Sequence, residues 1–266
     1  MLFLAGGFVK FKVISDVLRN ISQKHYKDIV VFDGCGDLPW NGGRVNIYNE
    51  PFNLLKYKYY QSKGIGFYCT FSNDVIDLDN TEGNKILDIL NSGNNNGVIV
   101  CNHSFRDYIR EKYPNLKICL SITYFDSIDV PKNIKELEEN YDYICPRFEM
   151  IFNPDFLKVI NPKKYKIMLN DTCKYGCKLW KKHFSEISRY NRDGIGDSHK
   201  IQECWLPNFN PDIESEYDCM DLDENAIKKC KKIGYENFKI SGREMTDTDF
   251  LDEIRKYVIE KGEKIY

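Results

Sequence analysis

The chain has 266 residues, with 38 basic side chains against 40 acidic ones and a net charge of −2. That balance carries no electrostatic footprint for nucleic acid or an anionic membrane surface, and 42% hydrophobic with 14% aromatic content excludes a disordered chain. Ten cysteines are too sparse for a disulfide scaffold, no run reaches the roughly 18 apolar residues of a membrane span, and Met1 to Gly7 lacks the basic start of a secretory signal. The expectation is a reduced, cytoplasmic protein with one domain over residues 1–266, its oligomeric state open.

Strand-like and helix-like segments alternate along the chain. A strand is expected at Met1 to Leu4 and a helix at Val13 to Lys24. Asp28 to Asp33 is a short β-branched run that ends at Gly34, the pattern of a buried parallel strand. Pro51 to Lys63 predicts a helix stopped by Gly64, and Ile65 to Phe71 the next strand. Thr81 to Leu90 predicts a helix capped by Thr81, Gly97 to Cys101 a strand, and Ser104 to Lys112 a helix closed by Pro114. Lys117 to Ile122 is a strand, Asn133 to Asn140 a short helix, Tyr143 to Cys145 a strand, Pro154 to Ile160 a helical turn, and Tyr165 to Leu169 a strand. Lys178 to Tyr190 predicts a helix. Asn191 to Asp218, rich in Gly, Asn, Pro and Asp, predicts a long loop of the kind that is functional or disordered. Asp223 to Ile233 is a helix ended by Gly234, Asn237 to Ile240 a strand, and Asp247 to Lys261 the last helix.

Eight strands with helices between most of them predict an α/β fold, a TIM-like (β/α)8 barrel of parallel strands. An open doubly wound sheet is the alternative, but no Gly-x-Gly-x-x-Gly joins a strand to a helix, and Gly34-Cys35-Gly36 lacks the third glycine. In a parallel barrel the chemistry lies just after each strand. Read that way, Asp33, Arg44, Asn73, Asn170, Lys239 and Arg243 are the candidate substrate-binding residues. Amides, hydroxyls and cations in this mixture suit a small anionic or polyoxygenated ligand, since arginine holds a carboxylate or phosphate bidentately. The plainer reading of Arg44 is a tie between its loop and acidic neighbours.

The densest cluster of chemistry is Asn170-Asp171-Thr172-Cys173-Lys174-Tyr175-Gly176-Cys177, with His183 and Cys204 downstream. Thiols and an imidazole so grouped are ligands for zinc or an iron–sulfur cluster, so Cys173, Cys177, His183 and Cys204 are the candidate metal ligands. The spacing is not a standard zinc pattern, and free cysteines in a reduced compartment are the competing reading. If the chain turns helical after Cys173, Cys177 falls one turn further along on the same side. A radical S-adenosylmethionine motif is excluded because Trp180 stands where its third cysteine belongs. Cys173 with His183 has no evident orienting residue for thiol catalysis, and His103, just after a strand, is more simply a hydrogen-bonded histidine than an acid or base. No Gly-x-Ser-x-Gly elbow, Walker loop or His-Glu-x-x-His helix is present.

Taken in order, Val31-Phe32-Asp33-Gly34, Gly43-Arg44, Gly64-Ile65-Gly66-Phe67-Tyr68-Cys69-Thr70-Phe71-Ser72-Asn73, Leu169-Asn170-Asp171-Thr172-Cys173 and Phe238-Lys239-Ile240-Ser241-Gly242-Arg243 resemble the collagenase-like peptidase family. Its relatives include iron–sulfur proteins of prephenate-dependent hydroxylation in RNA and quinone pathways. The resemblance runs from residue 28 to residue 245 and implies the same barrel. It further implies that Cys173 matches the family's first cluster cysteine, with Cys177 and Cys204 as further ligands and His183 or Cys219 as the fourth. Lys239 and Arg243 match its late-strand pocket positions. The function expected is an iron–sulfur-bearing barrel acting on a small anionic or RNA-linked substrate. The alternatives are a metal-free barrel hydrolase and a non-catalytic barrel that binds a partner through the 191–218 loop; for the cofactor, the alternatives to a cluster are zinc or none.

Overall fold

The computed structural model describes residues 1–46, 49–196 and 219–257. Eight short, apolar strands form one sheet: β1 (Leu2–Ala5), β2 (Ile29–Asp33), β3 (Gly66–Phe71), β4 (Gly97–Val100), β5 (Lys117–Leu120), β6 (Tyr143–Ile144), β7 (Lys166–Met168) and β10 (Asn237–Ile240). Their spatial order is β6-β5-β4-β3-β2-β1-β10-β7, and every neighbouring pair is parallel. A parallel bridge between Ile144 and Tyr165 brings the two outer strands together, so the sheet is a nearly closed barrel of the expected (β/α)8 type. No helix among the described residues is long and apolar enough to cross a membrane.

The two-residue alternation of a strand sorts the core into two layers. Outward-facing Leu2, Leu4, Val31, Phe67, Val98 and Ile118 join the shell under the helices, whereas Phe3, Val30, Phe32, Tyr68, Ile99 and Cys119 fill the interior. Gly97 makes room for the Tyr68 ring: a Cβ there would stand 2.8 Å from it and 2.4 Å from the Lys117 carbonyl.

Helices α1 (Phe11–Asn20), α2 (Leu54–Ser62), α3 (Thr81–Asn91), α4 (His103–Lys112), α5 (Ile134–Asn140), α6 (Pro154–Val159), α7 (Trp180–Asp193), α8 (Glu224–Ile233) and α9 (Asp247–Tyr257) follow the strands. Several start on a side-chain cap that satisfies first-turn N–H groups. Asn53 accepts from Leu55 and Lys56, Asn102 from Phe105, Asn153 from Asp155 and Asp223 from Ala226. The cap of α3 is Asn80, accepting from Gly83 N–H, rather than the expected Thr81. Gly234 ends α8 at φ 103, in the left-handed region that glycine enters most easily.

Two expectations are corrected here. The chain does not turn helical after Cys173: Asn170–Lys174 is a strand, β8, paired antiparallel with β9 (Cys219–Asp221). Cys173 therefore lies on extended backbone, and the turn to Cys177 is made at Gly176, φ 73. The helix expected to stop at Tyr190 continues through Asp193 to Gly194, because Asn191 turns inward and its amide is satisfied by the loop after β2. Most of the expected 191–218 loop, residues 197–218 with Cys204, lies outside the described residues.

Candidate functional site

The carboxyl ends of the strands surround a small cavity of about 60 Å³ on the barrel axis. Its floor is Phe32, Ile99 and Met168, and its walls carry the hydroxyl residues Thr70, Ser72, Ser121 and Ser241. Lys239, from β10, reaches into it, and Arg44, Arg243, Asp171 and Glu244 ring the mouth. Short side chains at the strand ends leave this space open. The loop after β2 closes over it through Gly42, where a Cβ would collide with the Ser72 carbonyl at 2.2 Å.

Of the six residues read as substrate-binding, Arg44, Lys239 and Arg243 line this cavity and the other three build its frame. Asp33 is fully buried and faces outward, accepting from the N–H groups of Phe8 (2.9 Å), Val9 (3.2 Å) and Gly34 (2.9 Å). It pairs with Arg243 at 3.3 Å. Burial pushes its carboxyl up, against the pull of Arg243 and those three donors. Asn73, also fully buried, donates to the carbonyls of Asn41 (3.0 Å) and Ser188 (2.8 Å), tying the loop after β2 to α7. Asn170 exchanges a pair of hydrogen bonds with Ser241, fixing the exit of β10.

The arginines are already matched. Arg44 pairs with Asp171 at 3.3 Å and with Glu244, and it also donates to the Gly43 carbonyl at 2.8 Å. Burial works against the Arg44 charge, but Glu244 and Asp171 outweigh it and drive the guanidinium further toward its charged form. Burial likewise pushes the Glu244 carboxyl up, yet Arg44 and Arg243 hold it below its ordinary range. Lys239 differs. Its ammonium stands 4.5 Å from the Phe32 ring centroid, and among the described residues it has no ion pair or hydrogen-bond acceptor. The hydroxyl of Thr70, 8% exposed, is likewise without a partner among them.

The cysteine-bearing turn abuts this mouth. Asp171 accepts from the Cys173 N–H at 3.0 Å, so one carboxylate serves both Arg44 and the turn. Arg147, 2% exposed, clamps the far side. It grips both oxygens of Glu149 (2.8 and 3.2 Å), donates to the Cys177 carbonyl (3.4 Å) and lies over the Trp180 ring (4.6 Å). Glu149 in turn accepts from Gly176 N–H at 2.6 Å. Burial, followed by Asp171, pushes the Cys173 thiol well up, and Arg44 opposes them. Cys177 is half-buried on the same turn. His183 lies in α7 with its ring stacked on Phe184. Among the described residues no three possible metal ligands converge. The backbone of Cys219 stands opposite Lys174 across the β8–β9 pair, which puts it beside Cys173 in the small sheet.

His103 sits apart, in a cleft of about 510 Å³ on the same face, bonded to the hydroxyls of Tyr141 (2.9 Å) and Tyr124 (3.2 Å). Burial and the nearby Arg106 push its pKa down. Thr70, Asp171 and Glu244 escaped the sequence reading. The first lies inside a strand, one residue before its end, and the others sit directly after residues that drew attention first. Asn191, which accepts from Asn46 N–H and donates to the Arg44 carbonyl at 2.7 Å, carries no sequence signal beyond being an amide near a helix end.

Fold and site together define a (β/α)8 barrel with a polar, cation-bearing mouth. No protein-family model matches the chain, and no curated protein does. A solved structure of the U32 peptidase Mk0906, a collagenase-like peptidase, is similar in fold with a TM-score of 0.54. The likeness covers 91% of this chain and 92% of that one at 12% sequence identity.

Proposed function

We propose that this barrel binds a small carboxylate-bearing ligand in its mouth, with Lys239 as the anchoring cation. The observation that carries this reading is the pair of donors without an acceptor among the described residues, Lys239 and Thr70, at one cavity whose other charges are matched. A cavity of about 60 Å³ that opens at its rim has room for several waters and so for a carboxylate group. The remainder of the ligand then lies toward Arg44 and Glu244 at the rim. The similarity to a peptidase fits a peptide carboxylate as one ligand of this class. Among the described residues that line the cavity there is no histidine or cysteine, so they give no support to a thiol or serine acyl-transfer mechanism. Calorimetry with malonate, citrate and a short peptide tests the reading. Binding by the native protein, weakened at least about tenfold (1.4 kcal/mol) in Lys239→Met, supports it. Binding unchanged in that variant, or absent throughout, contradicts it.

A second reading is a zinc or iron–sulfur site on the turn, supported by Cys173 and Cys177 sharing it and by Cys219 standing on the paired strand. The two described thiols are half of the four ligands such a site takes, and Cys204 would supply another. Bound there, the group would stand against Asp171 and Arg44 and could supply Lewis-acid or electron-transfer chemistry to the mouth. Anaerobically purified protein carrying stoichiometric iron or zinc that is lost in Cys173→Ala supports this; metal-free protein from the same preparation opposes it.

A further inference from the structure

Cys35 and Cys69 form a close sulfur–sulfur contact. Their Sγ atoms are 3.0 Å apart and both side chains are fully buried. The placement follows from strand geometry. Cys69 pairs in register with Asp33 across β2 and β3, and Cys35 lies two residues beyond Asp33, past Gly34. Both thiols therefore project to the same outer side of the barrel, beneath the loop that leads to Gly42, Gly43 and Arg44. Asn41 fixes Cys35 from within that loop, its amide oxygen accepting from Cys35 N–H and its amide nitrogen donating to the Cys35 carbonyl, each at 3.3 Å. Other buried or half-buried sulfurs point elsewhere: Cys101 toward the Ser72 carbonyl at 3.1 Å and Cys119 toward the Leu120 carbonyl at 3.5 Å.

We infer that Cys35 and Cys69 are a modification site, a thiol pair that a peroxide converts to an intrachain disulfide. One thiol, as thiolate, attacks a peroxide oxygen; the O–O bond breaks, the sulfur becomes a sulfenic acid, and one water leaves. The second thiol then displaces hydroxide from that sulfur, forming the S–S bond and releasing a second water. The peroxide takes up the two electrons and the two thiol protons. The sulfurs need approach by only about 1 Å to reach bonding distance, and closure fastens the Arg44-bearing loop to β3. Burial sets the rate, because peroxide reaches the pair when the loop opens. Oxidation is therefore slow in buffer and accelerates in urea below the unfolding transition. The inference goes beyond ligand binding and does not depend on it. The competing picture is a pair of small buried side chains that share a weak S–H···S contact and never react.

The experiment treats folded protein with hydrogen peroxide, with and without sub-transition urea. Free thiols are then alkylated without reduction, and the digest is read by mass spectrometry. The expected result is a peptide linking Cys35 to Cys69, formed faster in urea, absent from Cys35→Ser, and accompanied by a raised thermal midpoint. Recovery of Cys35 and Cys69 separately alkylated from every native-state sample overturns the inference. So does a link that forms only above the unfolding transition, or links of either residue to other cysteines. Peptide mapping of the unmutated protein decides these outcomes, so the test survives a variant that fails to fold.

Discussion

Lys166 points into the barrel, fully buried, with its ammonium 3.4 Å from the Phe3 ring centroid and near the rings of Tyr68 and Tyr143. It has no hydrogen-bond partner among the described residues. Three rings offset part of its desolvation, at about 0.5–2 kcal/mol each, but an uncompensated buried charge costs several kcal/mol. Burial accordingly lowers its pKa. The folded state binds this proton less tightly than the unfolded chain does, so the penalty is present at neutral pH and fades as pH rises toward the ordinary lysine value. Lys166→Met is expected to raise unfolding stability by about 1–3 kcal/mol at pH 7, with the gap to the native protein closing at higher pH in urea titrations. A gap independent of pH would show that Lys166 is not the titrating group. The ring of cations was legible before the fold was known, because Arg44, Lys239 and Arg243 follow or end strand-like runs. Lys166 was not, since a lysine at the start of a strand reads as a solvent-facing end.

At the scale of elements, the turn from Cys173 to Cys177 hangs on one buried ion pair. Arg147 and Glu149 are 2% and 5% exposed at their side chains. Burial pushes Glu149 up, and Arg147, through hydrogen bonds and charge, brings it below its ordinary range. The contribution of this pair to stability is thus complete above the ordinary glutamate range and is lost as pH falls through the depressed value. Arg147→Met leaves Glu149 buried without its counter-charge and is expected to cost about 3–5 kcal/mol at neutral pH. That difference shrinks in acid, as thermal unfolding at descending pH would register. A second contrast lies in the strands. Gly97→Ala places a Cβ 2.4 Å from the Lys117 carbonyl and is expected to cost more than Asn53→Ala, which removes only a helix cap worth about 1 kcal/mol. Equal midpoints for the two variants would mean that β4 tolerates displacement. The strands and most helices were readable because apolar runs, amide caps and stopping glycines agree. The β8–β9 pair was not, because Asn170-Asp171-Thr172-Cys173-Lys174 is polar and its partner lies 45 residues on.

Across the whole molecule, parallel strands direct their carboxyl ends to one face, and that face collects the groups that β2, β3, β5, β8 and β10 carry there. The fold was legible as a count of alternating segments; the balance of charge at the mouth was not. Whether Arg44 meets Asp171 and Glu244 depends on how a loop after β2 crosses to strands more than a hundred residues away. With the arginines matched, Lys239 is the cation proposed to receive a ligand. The most direct measurement is the anomalous density of crystals soaked in bromide, an anion whose position can be read without ambiguity. A bromide is expected inside the mouth, within contact of the Lys239 ammonium and the Thr70 hydroxyl, and absent from Lys239→Met. Bromide confined to surface lysines, with the Lys239 ammonium turned away from the cavity onto a carboxylate, would contradict it.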